Sequence, residues 1–283
     1  MKVLRQLAAL PPDTAACIGA FDGLHLGHQA LLQRAAELRP RIALVTFDPH
    51  PARVLAPERA PVLLQSGGQR ERVCAHLGVD HLVLLPFSRQ MAAMEPERFA
   101  QAILIDGLRP AAVVVGEDFR FGAGRRGGTD ELRDLLAPAA IDLAIVGEIL
   151  IPGSPRKIGS SGIRAAIRAG EVAEAAALLG RCYAVEGEVV HGAGRGRGLG
   201  VPTANVACPD ALLPRPGVYA AALQVVDRRS DLYGELWPAA ANLGQSPTFG
   251  PGELALEVHA LGVDLGERLY GVEVEVAFIE RLR

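Results

Sequence analysis

The sequence predicts an α/β fold in two parts, and three observations lead there. Up to about residue 180, short apolar runs alternate with helical patterns, as expected of a parallel sheet with crossover helices. After Gly180, strand-like runs follow one another without helices, separated by Gly and Pro turns, which suggests a small antiparallel barrel. One glycine-rich segment marks each part, Gly19–His28 in the first and Gly194–Asn205 in the second.

The elements follow in order. Ala15–Gly19, Ile42–Phe47, His81–Leu85, Ala112–Gly116 and Leu143–Gly147 read as strands, with helical patterns between them such as Gln29–Leu38 and Glu97–Leu104. Two short helices, Ser161–Ala169 and Val172–Leu179, close the first part. Tyr183–His191, Gly217–Asp227, Ala239–Leu243, Leu254–Leu261 and Leu269–Glu280 are the strands of the second. There Val272, Val274, Val276 and Phe278 alternate with Glu273 and Glu275, the period of a strand with one buried face. Leu254, Leu256, Val258 and Ala260 share one face of their strand, and Glu257 and His259 take the other. The boundary is expected near Gly180–Tyr183, dividing residues 1–180 from 183–283.

Composition narrows the function. The 283 residues suffice for one large or two medium domains, and 49% hydrophobic with 22% charged residues is a globular balance. A net charge of -3 gives no basic field, so nucleic acid is not an expected partner. Lysine occurs only at Lys2 and Lys157. Cys17, Cys74, Cys182 and Cys208 are scattered and form no CxxC pair, which argues against zinc or a disulfide framework. No secretory signal and no membrane-length apolar run is seen, so a cytoplasmic protein is expected, with small molecules as partners. Nothing in the sequence specifies an oligomeric state.

His25-Leu26-Gly27-His28 falls just past the first strand, where open parallel sheets bind ligands. Gly19, Gly23 and Gly27, with Phe21 among them, let the backbone approach phosphate oxygens, and the helix that follows offers unpaired N–H groups. Two imidazoles three residues apart can donate to the charge developing on a phosphate. A Gly-rich turn with two incidental surface histidines is the competing reading. Downstream, Ser160, Ser161 and Arg164 sit at another helix start, able to take phosphate oxygens or to be an ordinary Ser cap. Asp48 and His50 follow the second strand, and Asp118, Phe119 and Phe121 the fourth. Aromatic rings beside charged groups can hold a flat polar ring there, or can simply be loop structure.

In the second part Gly194, Arg195, Gly196, Arg197 and Gly200 form a flexible stretch able to wrap a polyphosphate, although it is not a Walker A sequence. Thr203 and Asn205 are hard oxygen donors on alternate positions, suited to Mg²⁺ that keeps most of its waters. Glu257 is either a solvated surface residue or a site carboxylate. Chemistry separates the two segments. Phosphorylating an alcohol calls for a positioned base, whereas a phosphate monoester is already largely ionised and needs none. Glu257 in the second part and His and Arg in the first are the pairing expected if the second makes a phosphate ester and the first adenylylates it.

These residues together resemble the bacterial bifunctional riboflavin kinase/FAD synthetase family. Gly19–His28, Thr46–Pro51, Gly116–Gly122, Ser160–Arg164, Gly194–Asn205, Pro216–Tyr219, Asn242–Phe249, Glu257–His259 and Leu269–Gly271 match family segments in order. The resemblance implies a Rossmann-like nucleotidylyltransferase domain, then a riboflavin kinase-like barrel. It implies His25, His28, Ser160, Ser161 and Arg164 on ATP phosphates, Asp118 and its neighbours on the flavin, Thr203 and Asn205 on Mg²⁺ and phosphate, and Glu257 as the base on the ribityl 5′-hydroxyl. ATP, riboflavin, FMN and FAD are then the substrates and products. The sequence departs from the family at Gly159, where a Ser-Ser-Thr motif would begin. It also ends at Arg283, within the stretch leading to the family's C-terminal helix. The alternative is therefore FMN adenylyltransferase activity alone, with the kinase impaired by the short C-terminus.

Overall fold

The apolar runs of the first part pair as a parallel sheet. The computed structural model describes residues 1–191, 203–245 and 254–283. Its first strands are β1 (Lys2–Leu4), β2 (Thr14–Ile18), β3 (Arg41–Asp48), β4 (His81–Pro86), β5 (Ala112–Gly116) and β6 (Asp142–Val146), in the order β1-β4-β3-β2-β5-β6. All neighbours are parallel. β2 is buried throughout and β5 over its first four residues, so both read as continuous small and apolar runs. Helices α1 (Leu26–Leu38), α2 (Pro51–Leu55), α3 (Gly67–His76), α4 (Arg89–Ala92), α5 (Pro96–Phe99) and α6 (Thr129–Leu136) connect the strands. One core gathers Ile18, Val45, Leu104, Val115 and Leu136, and a second gathers Cys17, Phe21, Leu24, Leu44 and Leu82. The chain steps outward from β2 to β3 and β4, then returns to lay β5 on the other side of β2. The resulting crevice lies beyond the carboxyl ends of β2 and β5.

The helix expected over Glu97–Leu104 begins at Pro96. Beyond α5 it continues as a π-type helix over Ala100–Leu108. The edge strand β1 was not expected, because three residues show no period.

The second part holds α7 (Ser160–Ala169), α8 (Val172–Leu179), β7 (Tyr183–Val190), β8 (Ala204–Ala207), β9 (Gly217–Val225), β10 (Leu236–Gln245), β11 (Leu254–Ala260) and β12 (Glu273–Arg281). The strands close into an antiparallel barrel, β10-β11-β8-β7-β12-β9. Val274, Val276 and Phe278 point inward as their alternation requires. Phe278 meets Tyr219 edge-on at 5.2 Å and stacks on Tyr183 at 6.4 Å. Each buried ring contributes about 2 kcal/mol, and the Tyr183 hydroxyl is satisfied by donating to the Leu212 carbonyl at 2.6 Å. The strand expected from Leu269 starts at Glu273, after a 3-10 turn over Gly266–Leu269. On β11, Leu256, Val258 and Ala260 are buried, Leu254 at the strand start is exposed, and Ala255 is buried on the face of Glu257.

By compactness the chain divides into Met1–Pro61 with Gly67–Ile158, and Val62–Ser66 with Gly159–Arg283. By this grouping α7 and α8 go with the barrel. Gly170 (φ +86°) ends α7, and a side chain there would meet Arg281 Cδ of β12 at 2.8 Å. α8 packs on β7 and β12. Among the described residues no helix is long and apolar enough to cross a membrane.

Candidate active sites

In the first unit the segment from Gly19 to His28 is held in a strained loop. Phe21 (φ 47°), Gly23 (φ 90°) and Leu24 (φ 44°) are left-handed. Such backbone costs energy for side-chain-bearing residues and persists only when the surroundings enforce it. Here Phe21 and Leu24 are buried in the core. The Thr46 hydroxyl donates to the Ala20 carbonyl at 2.9 Å, and the Gln29 amide donates to the Leu24 carbonyl at 2.9 Å. The loop delivers His25 to the N-cap of α1, where its Nδ1 accepts from the His28 backbone N–H at 3.3 Å. With Nδ1 an acceptor, the ring proton of neutral His25 sits on Nε2.

His28 stacks on His25 with ring centres 3.6 Å apart and meets Phe21 edge-on at 5.1 Å. A side chain at Gly27 would come within 3.1 Å of the His25 ring, so glycine makes room for the stack. Burial, then the charge of His25, holds the His28 imidazole well below the ordinary range. Among the described residues its buried Nδ1 has no hydrogen-bond partner. No acidic residue occupies the first turn of α1, which leaves the positive helix end for an anion.

The loops after β3 and β5 share this carboxyl edge. Asp48 is exposed, and His50 caps α2 by accepting from the Ala52 N–H at 3.2 Å. Asp118 receives Lys157 at 2.8 Å, and Lys157 also reaches Glu148 at 2.9 Å. The hydrogen bond from Lys157 lowers the Asp118 carboxyl and raises the amine. Lys157 escaped the sequence analysis because it lies far along the chain from Asp118. Phe119 is half-buried and stacks on Phe121 at 5.7 Å, while Phe121 is only 6% exposed and abuts Phe99. Phe119 is therefore the ring with a face to offer, and Phe121 braces it.

The second unit carries the remaining residues. Ser160 and Ser161 open α7 behind Gly159, which gives no side-chain cap. Arg164 is buried, and its Nε donates to the Val62 carbonyl at 2.8 Å. Gly194, Arg195, Gly196, Arg197 and Gly200 lie outside the described residues.

Three adjacent barrel strands bring Glu257 into a polar row. It pairs directly with Asn205 of β8 on one side and with Asn242 of β10 on the other. Directly opposed residues share a face with Cβ atoms about 5 Å apart. Asn205 is 8% exposed, Glu257 half-buried, and Asn242 exposed, its Nδ2 donating to Glu257 Oε2 at 3.4 Å. Thr203, half-buried, precedes β8 two residues before Asn205. A neutral amide and a hydroxyl are hard donors that fit a Mg²⁺ ion completed by water and phosphate. Among the described residues no group of three or more His, Cys, Asp or Glu could hold a metal ion by itself.

Comparison with known proteins agrees with both halves. Residues 8–161 match the family model for FAD synthetase and residues 179–283 the one for riboflavin kinase. The bifunctional riboflavin kinase/FMN adenylyltransferase of Pseudomonas fluorescens is 35% identical over 100% of this chain and 90% of its own length. The protein of that name from Escherichia coli strain K12 is also 35% identical, over 94% of this chain and 83% of its own. A crystal structure described as a macrolide-efflux protein from Streptococcus pneumoniae superposes with a TM-score of 0.82 at 30% identity, over 97% of this chain and 87% of that one. Parallel sheet, closed barrel, both family models and the full-length relatives agree: this chain belongs to the bifunctional riboflavin kinase/FMN adenylyltransferase family.

Proposed function

We propose that this chain phosphorylates riboflavin with ATP to FMN and adenylylates FMN with a second ATP to FAD and pyrophosphate. The kinase reaction is assigned to residues 183–283 and the adenylyl transfer to residues 1–180, in the cytoplasm.

The observation that carries the kinase reading is Glu257 registered opposite Asn205 and half shielded from water. A primary alcohol keeps its proton at neutral pH, so the ribityl 5′-hydroxyl must lose it to a base as it attacks the γ-phosphorus of ATP and ADP leaves. Glu257 is that base. Thr203 and Asn205 would hold Mg²⁺, which when bound offsets charge on the phosphates. The Gly194–Gly200 stretch, outside the described residues, is assigned to the polyphosphate on its sequence alone.

Adenylyl transfer needs no base. The FMN phosphate is already an anion and attacks the α-phosphorus of ATP, expelling pyrophosphate. His25 and His28 donate to the charge that develops, with the N-terminus of α1 behind them. Ser160, Ser161 and Arg164 supply further donors to the phosphates. Asp48, His50, Asp118 and Phe119 contact the flavin, with Phe121 beneath Phe119.

Incubation with riboflavin and Mg-ATP, with the flavins separated by chromatography, tests the proposal. FMN and FAD together are the expected result. FAD formed only from added FMN would instead leave the adenylyltransferase alone, and neither product would sink the reading.

A further inference from the structure

The two amides flanking Glu257 do different work. Asn205 already has an expected task beside Mg²⁺ and phosphate, whereas Asn242 has none. Yet Asn242 is the residue with a hydrogen bond to the carboxylate, Nδ2 to Oε2 at 3.4 Å. A carboxylate only accepts, so the amide must turn its NH₂ towards it. We propose that Asn242 is a positioning residue for the kinase reaction, fixing the plane of the Glu257 carboxylate so that Oε1 faces the substrate hydroxyl.

Four points support this. Glutamate ends in a soft torsion, so an untethered carboxylate samples many planes. A general base works only when its lone pair lies within hydrogen-bond reach and line of the proton it takes. The pairing of β10 with β11 is in continuous register from Ala239↔Ala260 to Gln245↔Leu254, so Asn242 and Glu257 are held opposite each other by backbone on both sides. Among the described residues Oε1 accepts no hydrogen bond, which leaves it for the hydroxyl.

The inference rests on Glu257 being the base, and the experiment separates the two. Steady-state FMN formation is measured for Asn242→Ala, Asn242→Asp, Asn242→Gln and Glu257→Gln; conversion of added FMN to FAD reports the first unit of each chain, and a wild-type urea-unfolding transition of residues 159–283 reports that the barrel is folded. Asn242→Ala should lower kcat about tenfold, with KM for riboflavin within about twofold, because a charge-assisted hydrogen bond is lost at the base and not at the substrate. Asn242→Asp keeps the shape but opposes like charges across the strands, so a larger loss of about a hundredfold is expected. Asn242 is exposed, so glutamine has room there, and Asn242→Gln should restore kcat to within about threefold of wild type. Wild-type kcat in the Ala and Asp variants, no rescue by Gln, or a raised KM at unchanged kcat would each overturn the positioning role. Wild-type FMN formation by Glu257→Gln would overturn the base itself.

Discussion

His28 is an imidazole kept neutral by its surroundings, and stability should register it. Its folded pKa lies below the ordinary 6.5 because burial and His25 disfavour the charge. As the pH falls through 6.5 the unfolded chain therefore takes up to one proton more at this position than the folded chain. Stability then falls as the pH drops, by up to about 1.4 kcal/mol per unit, and is unaffected above 6.5. Urea unfolding without nucleotide should show a steeper slope between pH 6.5 and 5.5 in the wild type than in His28→Gln, which keeps the part due to His81, another imidazole lowered by burial; parallel curves would refute it. Gly159 offers a second test at the same scale. Its backbone is extended (φ −162°), and an added Cβ meets nothing within 4 Å. Gly159→Ser should be accepted without strain, strengthen the cap of α7 by a few tenths of a kcal/mol, and lower KM for ATP in FAD formation about twofold. A raised KM would show that a hydroxyl there does not help.

At the scale of elements, the barrel depends on β8, a strand of four residues bearing Asn205. A Cβ at Gly187 of β7 would overlap the Ala207 carbonyl and come within 2.6 Å of Cys208 Sγ. Gly187→Ala should push β8 off β7 and cut FMN formation more than tenfold, while FAD is still made from added FMN. Equal loss of both activities would mean general unfolding. β8 itself was hidden in the sequence, lying next to Gly and Pro with too few residues to show alternation. The longer elements were legible because burial writes their period: β12 shows it in Val274, Val276 and Phe278, and β5 in an unbroken apolar run. Glu257 could be put on the polar face of its strand from alternation alone. Its neighbours could not, because Asn205 and Asn242 meet it only through strand register, which one strand's sequence does not contain. The Lys157 bridge was illegible because Asp118 lies 39 residues away along the chain.

For the whole molecule, two chemistries on one chain make a selective prediction. Glu257→Ala should abolish FMN formation and spare the conversion of FMN to FAD. His28→Ala should do the reverse. Mixing the two purified variants with riboflavin and Mg-ATP should restore FAD, because FMN released by one is substrate for the other. Failure of the mixture while each variant keeps its own half reaction would show that FMN is not exchanged through solution.

The pair α7 and α8 has one more consequence. The end of α7 at Gly170 lies against Arg281, and α8 packs on β7 and β12. Anyone wishing to produce the rear catalyst by itself would do poorly to start the gene fragment at Tyr183, since that strips a greasy flank bare. Beginning at Gly159 keeps the flank clothed.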